Sequence, residues 1–286
     1  MFKNFKYFIQ AFIVYLLFII GRILGLRLCR KIFSYLFLRL APSFKSKKII
    51  EKNLDFFSKK KSQEEKEVII SNMWKNYGKT FIEYIFLDLF RKNNNHIKIH
   101  GENILKKIIE DDKPVIFVSG HFSNFELMSM EITKRKINLA TIYRPLNNFY
   151  LNPFMEFLRK RYVCKNQIKK GINGVRDAIE YIKKNHSIAL MIDQRVSEGE
   201  KIYFFNYPAL TTTLPAQLAI KYKLKIVPVF IEREKDNTFK VEFFNQIDPN
   251  IYENKSNLTK KLNEFIEAML IKNPNEWIWS HDRWKL

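Results

Sequence analysis

Apolar positions along the chain change their spacing twice, and each change marks a different kind of structure. From Tyr7 to Gly21 the run YFIQAFIVYLLFIIG carries no charge and only Gln10 is strongly polar. That approaches the roughly 17 to 25 residues a membrane-spanning helix needs. Beyond it, Arg22, Arg27, Arg30, Lys31 and Arg39 interrupt Ile23, Leu24, Leu26, Leu28, Ile32, Phe33, Leu36 and Phe37, the pattern of a basic helix lying on an anionic membrane surface. Residues 1–45 are therefore expected to hold a membrane anchor and a basic interfacial helix. A cleaved leader needs small residues after its apolar run, and arginines and large apolar side chains stand there instead. Positive charge on both sides leaves the orientation open.

From residue 46 onward the spacing becomes helical. SKKKSQEEKE is a solvated charged connection, and Trp74, Tyr77, Phe81, Ile82, Ile85 and Leu89 recur at helical intervals as a packing stripe. The pattern then changes again. Val115–Ser119, Leu139–Tyr143, Ile188–Ile192, Ile226–Ile231 and Phe239–Phe244 are short apolar or alternating runs that predict strands. Helical stretches are expected over Phe125–Arg135, Leu151–Arg161, Asn173–Lys184, Pro215–Lys223 and Leu258–Ile271, with Pro215 marking a helix start. Alternating strands and helices predict an α/β domain over 46–286, with a mixed, largely parallel sheet flanked by helices and a helical N-terminal part. Ligands in such sheets bind where strand ends lead into helices.

Composition narrows the partners. The 286 residues are 47% hydrophobic, enough for one substantial core with an appendage. Fifty Lys and Arg against twenty-nine Asp and Glu leave +21, a balance suited to partners that carry phosphate. Cys29 and Cys164 are the only cysteines and imply no disulfide framework. The five histidines are scattered, so no metal site is expected. Eight glycines with no phosphate-cradling loop argue against a nucleotide cofactor.

The stretch PVIFVSGHFSNFELMSMEI runs from an apolar strand into Gly120 and His121 and then into a helix. Within one ideal helix His121 and Glu126 would sit about 140° apart and share no face. With His121 in the loop and Glu126 in the first helical turn, they can meet. A neutral imidazole can take a proton from a hydroxyl near neutral pH, and a carboxylate beside it fixes its tautomer. Backbone N–H groups at the helix start can help hold an oxyanion or a phosphate. The same residues admit a plainer reading, since Ser123-Asn-Phe-Glu126 fits the S-x-x-E capping box.

GHFSNFE resembles the H-x4-D/E motif of the glycerolipid and lipid A acyltransferases, with His121 and Glu126 on its two functional positions. FIIGRILGLRLCRKIF, NMWKNYGKTFIEYI, IYRPLNN, GINGVRDAIEYIKKN, LMIDQR, FFNYPALTTTLPAQLA, IVPVFIER and WIWSHDRWK resemble, in order and over nearly the whole chain, segments of the lipid A late acyltransferase family. The resemblance implies a glycerolipid acyltransferase-like fold with an N-terminal membrane helix. It also implies transfer of a fatty acyl group from acyl carrier protein to a hydroxyl of a Kdo-bearing lipid A precursor, at the bacterial inner membrane with the catalytic domain facing the cytoplasm. His121 is then the base and Glu126 its charge partner.

The same resemblance suggests binding roles for other residues. Arg144 matches a block that can hold a phosphate or developing charge, and Asp193 and Gln194 match one that shapes the acceptor or carrier site. Many members have an acidic residue and a glycine soon after, where this chain has Arg195 and Val196. Gly171, Gly174 and Arg176, which alone read as a turn and helix start, become binding candidates. So do Thr212, beside the Pro215 helix start, and Arg283 in the tryptophan-rich tail, while His281 reads as a hydrogen-bonded structural histidine. Two other readings remain: an acyltransferase for lysophospholipid, glycerol phosphate or a mannosylated lipid, and a non-enzymatic basic protein. No nucleic-acid motif supports the latter, and the N-terminal basic charge accompanies apolar residues, as membrane lipids require.

Overall fold

A computed structural model describes residues 2–286. Two helices open the chain, α1 (Phe2–Leu24) and α2 (Leu26–Leu40), separated by Gly25 at φ 78°. Next come α3 (Lys47–Phe57), α4 (Gln63–Glu83) and the short α5 (Leu87–Lys92). Helix α4 starts on a true capping box: Ser62 Oγ accepts from Glu65 N–H, and the Glu65 carboxylate accepts from Ser62 N–H. Helix α2 is not free of this layer. Cys29 and Phe33 are buried, and Phe33 and Phe37 pack on Phe81 of α4.

The remainder alternates: β1 (Ile97–His100), α6 (Glu102–Asp111), β2 (Ile116–Ser119), α7 (Glu126–Lys134), β3 (Leu139–Tyr143) and α8 (Asn152–Leu158). Helix α8 runs on through a wide π-turn over Arg159–Val163. Then follow β4 (Asn166–Lys169), α9 (Ile172–Lys183), β5 (Ser187–Met191), β6 (Glu200–Phe204), β7 (Tyr207–Thr211), α10 (Leu214–Tyr222), β8 (Ile226–Arg233), β9 (Phe239–Phe243) and α11 (Lys255–Lys272). Seven strands make one sheet in the order β1-β9-β8-β2-β5-β3-β4. Every pair in it is parallel except β8 with β9. The expected α/β fold with a mixed, largely parallel sheet is therefore present.

Central strand β2 is buried at all four positions, as a parallel strand with helices on both faces must be. The core divides accordingly. One cluster joins Val118, Ile188, Ile192 and Phe230 to α11 and the tryptophans of the tail, and the other joins Phe117, Ala189, Val229 and Val241 to α5, α6, α7 and α2. Alternate residues of the same strands thus serve opposite faces. Strands β6 and β7 form a separate antiparallel hairpin, turned by Phe205 and Asn206 at φ 50° and 63°.

Candidate active site

The parallel register of β2 and β5 brings the chemistry together. Ser119 pairs with Met191, and Ile192 N–H donates to the Ser119 carbonyl, so the ladder continues past both strand ends. One step further, Gly120 and His121 lie beside Asp193. A Cβ at Gly120 would sit 2.5 Å from the Phe122 ring and 3.3 Å from the Asp193 Cβ, a closeness that suits glycine.

His121 Nδ1 is 2.7 Å from Asp193 Oδ1, and the His121 backbone N–H donates to Asp193 Oδ2 at 2.9 Å. Trp277 Nε1 donates to the same Oδ2 at 2.6 Å. Burial alone would push the Asp193 carboxyl up, but the hydrogen bonds from His121 and Trp277, with the attraction of the imidazole when it is protonated, hold it at about 2. An ionised acceptor on Nδ1 fixes the neutral ring with its proton there, leaving Nε2 as the basic nitrogen. The carboxylate on His121 is therefore that of Asp193, not Glu126.

Glu126 is the first residue of α7, in the expected turn, but its carboxylate faces other partners. Its Oε1 accepts from Tyr84 Oη at 2.6 Å and from Arg159 Nε at 2.7 Å, and Arg159 also donates to Tyr84 Oη at 2.9 Å. Burial, with the Glu126 carboxylate beside it, pushes the Tyr84 hydroxyl far above its ordinary value, so it stays a donor. The capping box suggested for Ser123 and Glu126 does not form, because Ser123 stands at φ 47° and α7 has no side-chain cap. An N-cap needs extended backbone, whereas this left-handed conformation costs a serine about 1 kcal/mol or more. Ser123 is held there by its N–H bond to the Glu276 carbonyl at 3.2 Å.

His121 and Glu126 line one cavity of about 210 Å³. It is lined by the apolar Phe125, Met128, Ile142, Ala189 and Leu214 and by four cations, of which Arg144 and Lys170 are exposed and Arg159 and Arg195 half-buried. Phe125 packs edge-on against the imidazole at 4.8 Å. A larger groove of about 1130 Å³ lies along α8 and the π-turn and contains neither His121 nor Asp193. A cavity that brings apolar side chains, an imidazole and several cations together suits a hydrocarbon chain and an anionic head group.

The remaining sequence-derived candidates separate on the structure. Arg144, Gln194 and Thr212 line the cavity, while Asp193 orients His121. Thr212 Oγ1 also accepts from Leu214 N–H at 3.4 Å, at the α10 start. Gly171 lies outside the cavity at φ 138°, and Arg176 is on the exposed face of α9. Gly174 serves packing, since a Cβ there would meet the Lys169 carbonyl oxygen at 2.1 Å.

Arg283 departs furthest from expectation. It is fully buried, donates to the Leu210 carbonyl at 3.0 Å and to Thr211 Oγ1 at 2.7 Å, and lies over the Phe204 ring. Burial pulls its guanidinium down to about 10. It ties the tail to the β6–β7 hairpin and is not placed to meet a phosphate in the cavity. His281 accepts from Arg195 N–H at 2.9 Å, a hydrogen-bonded position like the one expected.

Arg159, Tyr84 and Lys170 escaped the sequence reading. Arg159 is one of several cations in LRKRY, with nothing local to mark it. A scaffold beneath the site was also hidden. Glu83, fully buried, takes charged hydrogen bonds from Arg30 and Arg233, which hold its carboxyl below the ordinary range despite burial, and it accepts from Asn124 at 2.9 Å.

Residues 1–286 match the family described as bacterial lipid A biosynthesis acyltransferase. A lipid A biosynthesis acyltransferase of Haemophilus influenzae is 22% identical over 263 residues, 88% of this chain and 82% of that one. The lipid A biosynthesis palmitoleoyltransferase of Escherichia coli K12 is 22% identical over 245 residues, 83% and 78% of the two chains. Among solved structures, the 1-acyl-sn-glycerophosphate acyltransferase of Thermotoga maritima aligns with a TM-score of 0.42 and 14% identity, covering 88% of this chain and 96% of that one.

Proposed function

The chain belongs to the bacterial lipid A biosynthesis acyltransferase family, and from that premise we propose that it moves a fatty acyl group from acyl carrier protein to a hydroxyl of a Kdo-bearing lipid A precursor, with His121 as the base. The observation that carries this reading is the 2.7 Å contact between His121 Nδ1 and Asp193, with His121 lining a cavity that also presents apolar side chains and four cations. His121 Nε2 takes the proton of the acceptor hydroxyl as its oxygen attacks the thioester carbonyl. Asp193 stabilises the imidazolium that forms. The C–S bond then breaks, and the imidazolium returns the proton to the departing thiolate, leaving an ester and a free thiol. No covalent enzyme intermediate is needed.

Glu126 acts in this reading through Arg159 and Tyr84 rather than on the imidazole. The three fix one wall of the cavity and hold the guanidinium near the reacting carbonyl or an acceptor phosphate. Arg144, Gln194, Lys170 and Thr212 complete the acceptor side. The proposed location is the inner membrane with the cavity on the cytoplasmic side, where acyl carrier protein resides.

The test is direct. Membranes containing the protein receive acyl carrier protein loaded with fatty acid and either a tetra-acylated, Kdo-bearing lipid A precursor or a lysophospholipid, with products read by mass spectrometry. Acylation of the lipid A precursor is expected. Acylation of the glycerol-based acceptor alone would reverse the assignment, and acyl coenzyme A serving in place of the carrier would overturn the donor.

A further inference from the structure

Helix α1 is long and apolar enough to cross a membrane, yet its contacts describe a different placement. At the N-terminal end, Asn148 Nδ2 donates to the Tyr7 carbonyl at 2.9 Å. Midway, Tyr15 Oη donates to the Tyr150 carbonyl at 2.8 Å, and the Tyr15 and Phe18 rings lie 5.6 and 6.0 Å from that of Phe154. At the C-terminal end, Arg22 donates to the Ile85 carbonyl at 2.9 Å and pairs with Asp88. All these partners belong to the catalytic body. From Tyr7 to Arg22 the helix advances about 22 Å, so that body follows it through most of the ~30 Å thickness of a hydrocarbon core. A helix crossing alone has its two ends on opposite sides of the membrane, whereas here both ends are bonded to one charged domain.

The other face of the helix is apolar and exposed. Phe5, Phe8, Phe12, Ile13, Ile20 and Ile23 are exposed at helical spacing, Ile23 by 81%, while Ala11, Phe18 and Gly21 face the protein. The apolar surface continues onto the catalytic body at Leu146, Phe149, Tyr150 and Phe157, all exposed. Lys3, Lys6, Arg27 and Lys31 are exposed around it, placed to reach head groups.

We infer that α1 and the segment 146–157 dock together on one leaflet of an anionic membrane, α1 lying along the interface rather than crossing it. Arg144, an exposed residue lining the cavity, is two residues before that segment, so the cavity lies beside the docked surface. Docking of this kind does not depend on which acceptor is used.

Cysteine labelling of the full chain in sealed inner-membrane vesicles of each orientation tests it. Asn4→Cys and Lys6→Cys report the start of α1 and Lys201→Cys, exposed in the β6–β7 hairpin, reports the catalytic body. Cys29 and Cys164 are buried, so the unmodified chain serves as the blank. With a membrane-impermeant maleimide, the expected result is that all three positions label in the same vesicle orientation, at rates within about threefold, and are protected in the other. Labelling of positions 4 and 6 only in the orientation that protects position 201 would overturn the proposal, and so would failure to label them in either orientation before detergent is added.

Discussion

Two carboxylates near the cavity, Glu126 of the H-x4-E motif and Asp193 after β5, meet different halves of the protein. Asp193, which stands against His121, is delivered by β5 and clamped by Trp277 from the tail. Glu126, the acidic member of the motif, turns the other way and is clamped by Tyr84 from the helical layer and Arg159 from the π-turn. The first region orients an imidazole, and the second fixes a cation at the cavity wall. The H-x4-E spacing places His121 and Glu126 around one cavity without recording which carboxylate contacts the imidazole.

Substitutions separate the two regions. The largest effects are expected at His121 and Asp193, where Asp193→Asn keeps the shape but favours the wrong imidazole tautomer. Acyl transfer should fall on the order of 10³-fold, read as kcat/KM with folding checked by circular dichroism. A loss under tenfold would detach Asp193 from the chemistry. His121→Ala removes the imidazole itself and should cost at least as much, on the order of 10³- to 10⁴-fold in the same assay. Arg159→Lys keeps a positive charge but loses the fork that grips Glu126 and Tyr84 together, and a fall of about 10- to 100-fold is expected. Near-full activity in this variant would show that charge alone suffices. Tyr84→Phe removes one hydroxyl between two charged partners and should lower stability by roughly 1–2 kcal/mol with a smaller change in rate.

A subtler prediction concerns the scaffold that holds Ser123. Burial pushes the Glu276 carboxyl from 4.5 up to about 7, against the pull of Arg233. The folded form therefore binds this proton more tightly than the unfolded chain does. Its contribution is fully present below pH 4.5 and is lost as pH rises toward 7, by roughly 1–3 kcal/mol. Glu276→Gln should flatten the fall in melting temperature across that window, and an unchanged slope would assign it to other groups.

How far the sequence reveals these regions follows from the range of the interactions. Apolar strands such as Ile226–Arg233 and amphipathic helices such as Ile172–Lys183 announce themselves locally, and both match the expected stretches within a few residues. Edge strand β4, Asn-Gln-Ile-Lys, has too little apolar character to stand out. The β6–β7 hairpin was hidden because its turn uses Phe205-Asn206 in place of the Asn-Gly or Asp-Gly that usually marks such turns. The strand-end position of His121 was legible because a strand, a glycine and a helix succeed one another directly. Its pairing with Asp193, 72 residues away, depends on β2 and β5 being neighbours, which no local pattern specifies. Arg283 misled for the same reason, since an arginine among tryptophans looks like a ligand contact until the hairpin closes over it.

The division of labour between the two carboxylates is tested most directly by a double-mutant cycle on kcat/KM, using His121→Ala with Asp193→Asn and, separately, with Glu126→Gln. If Asp193 works through the imidazole, its substitution should cost almost nothing once His121 is gone, while Glu126→Gln should retain most of its effect in that background. The reverse outcome, with Glu126→Gln silent and Asp193→Asn still costly in the His121→Ala protein, would contradict the account.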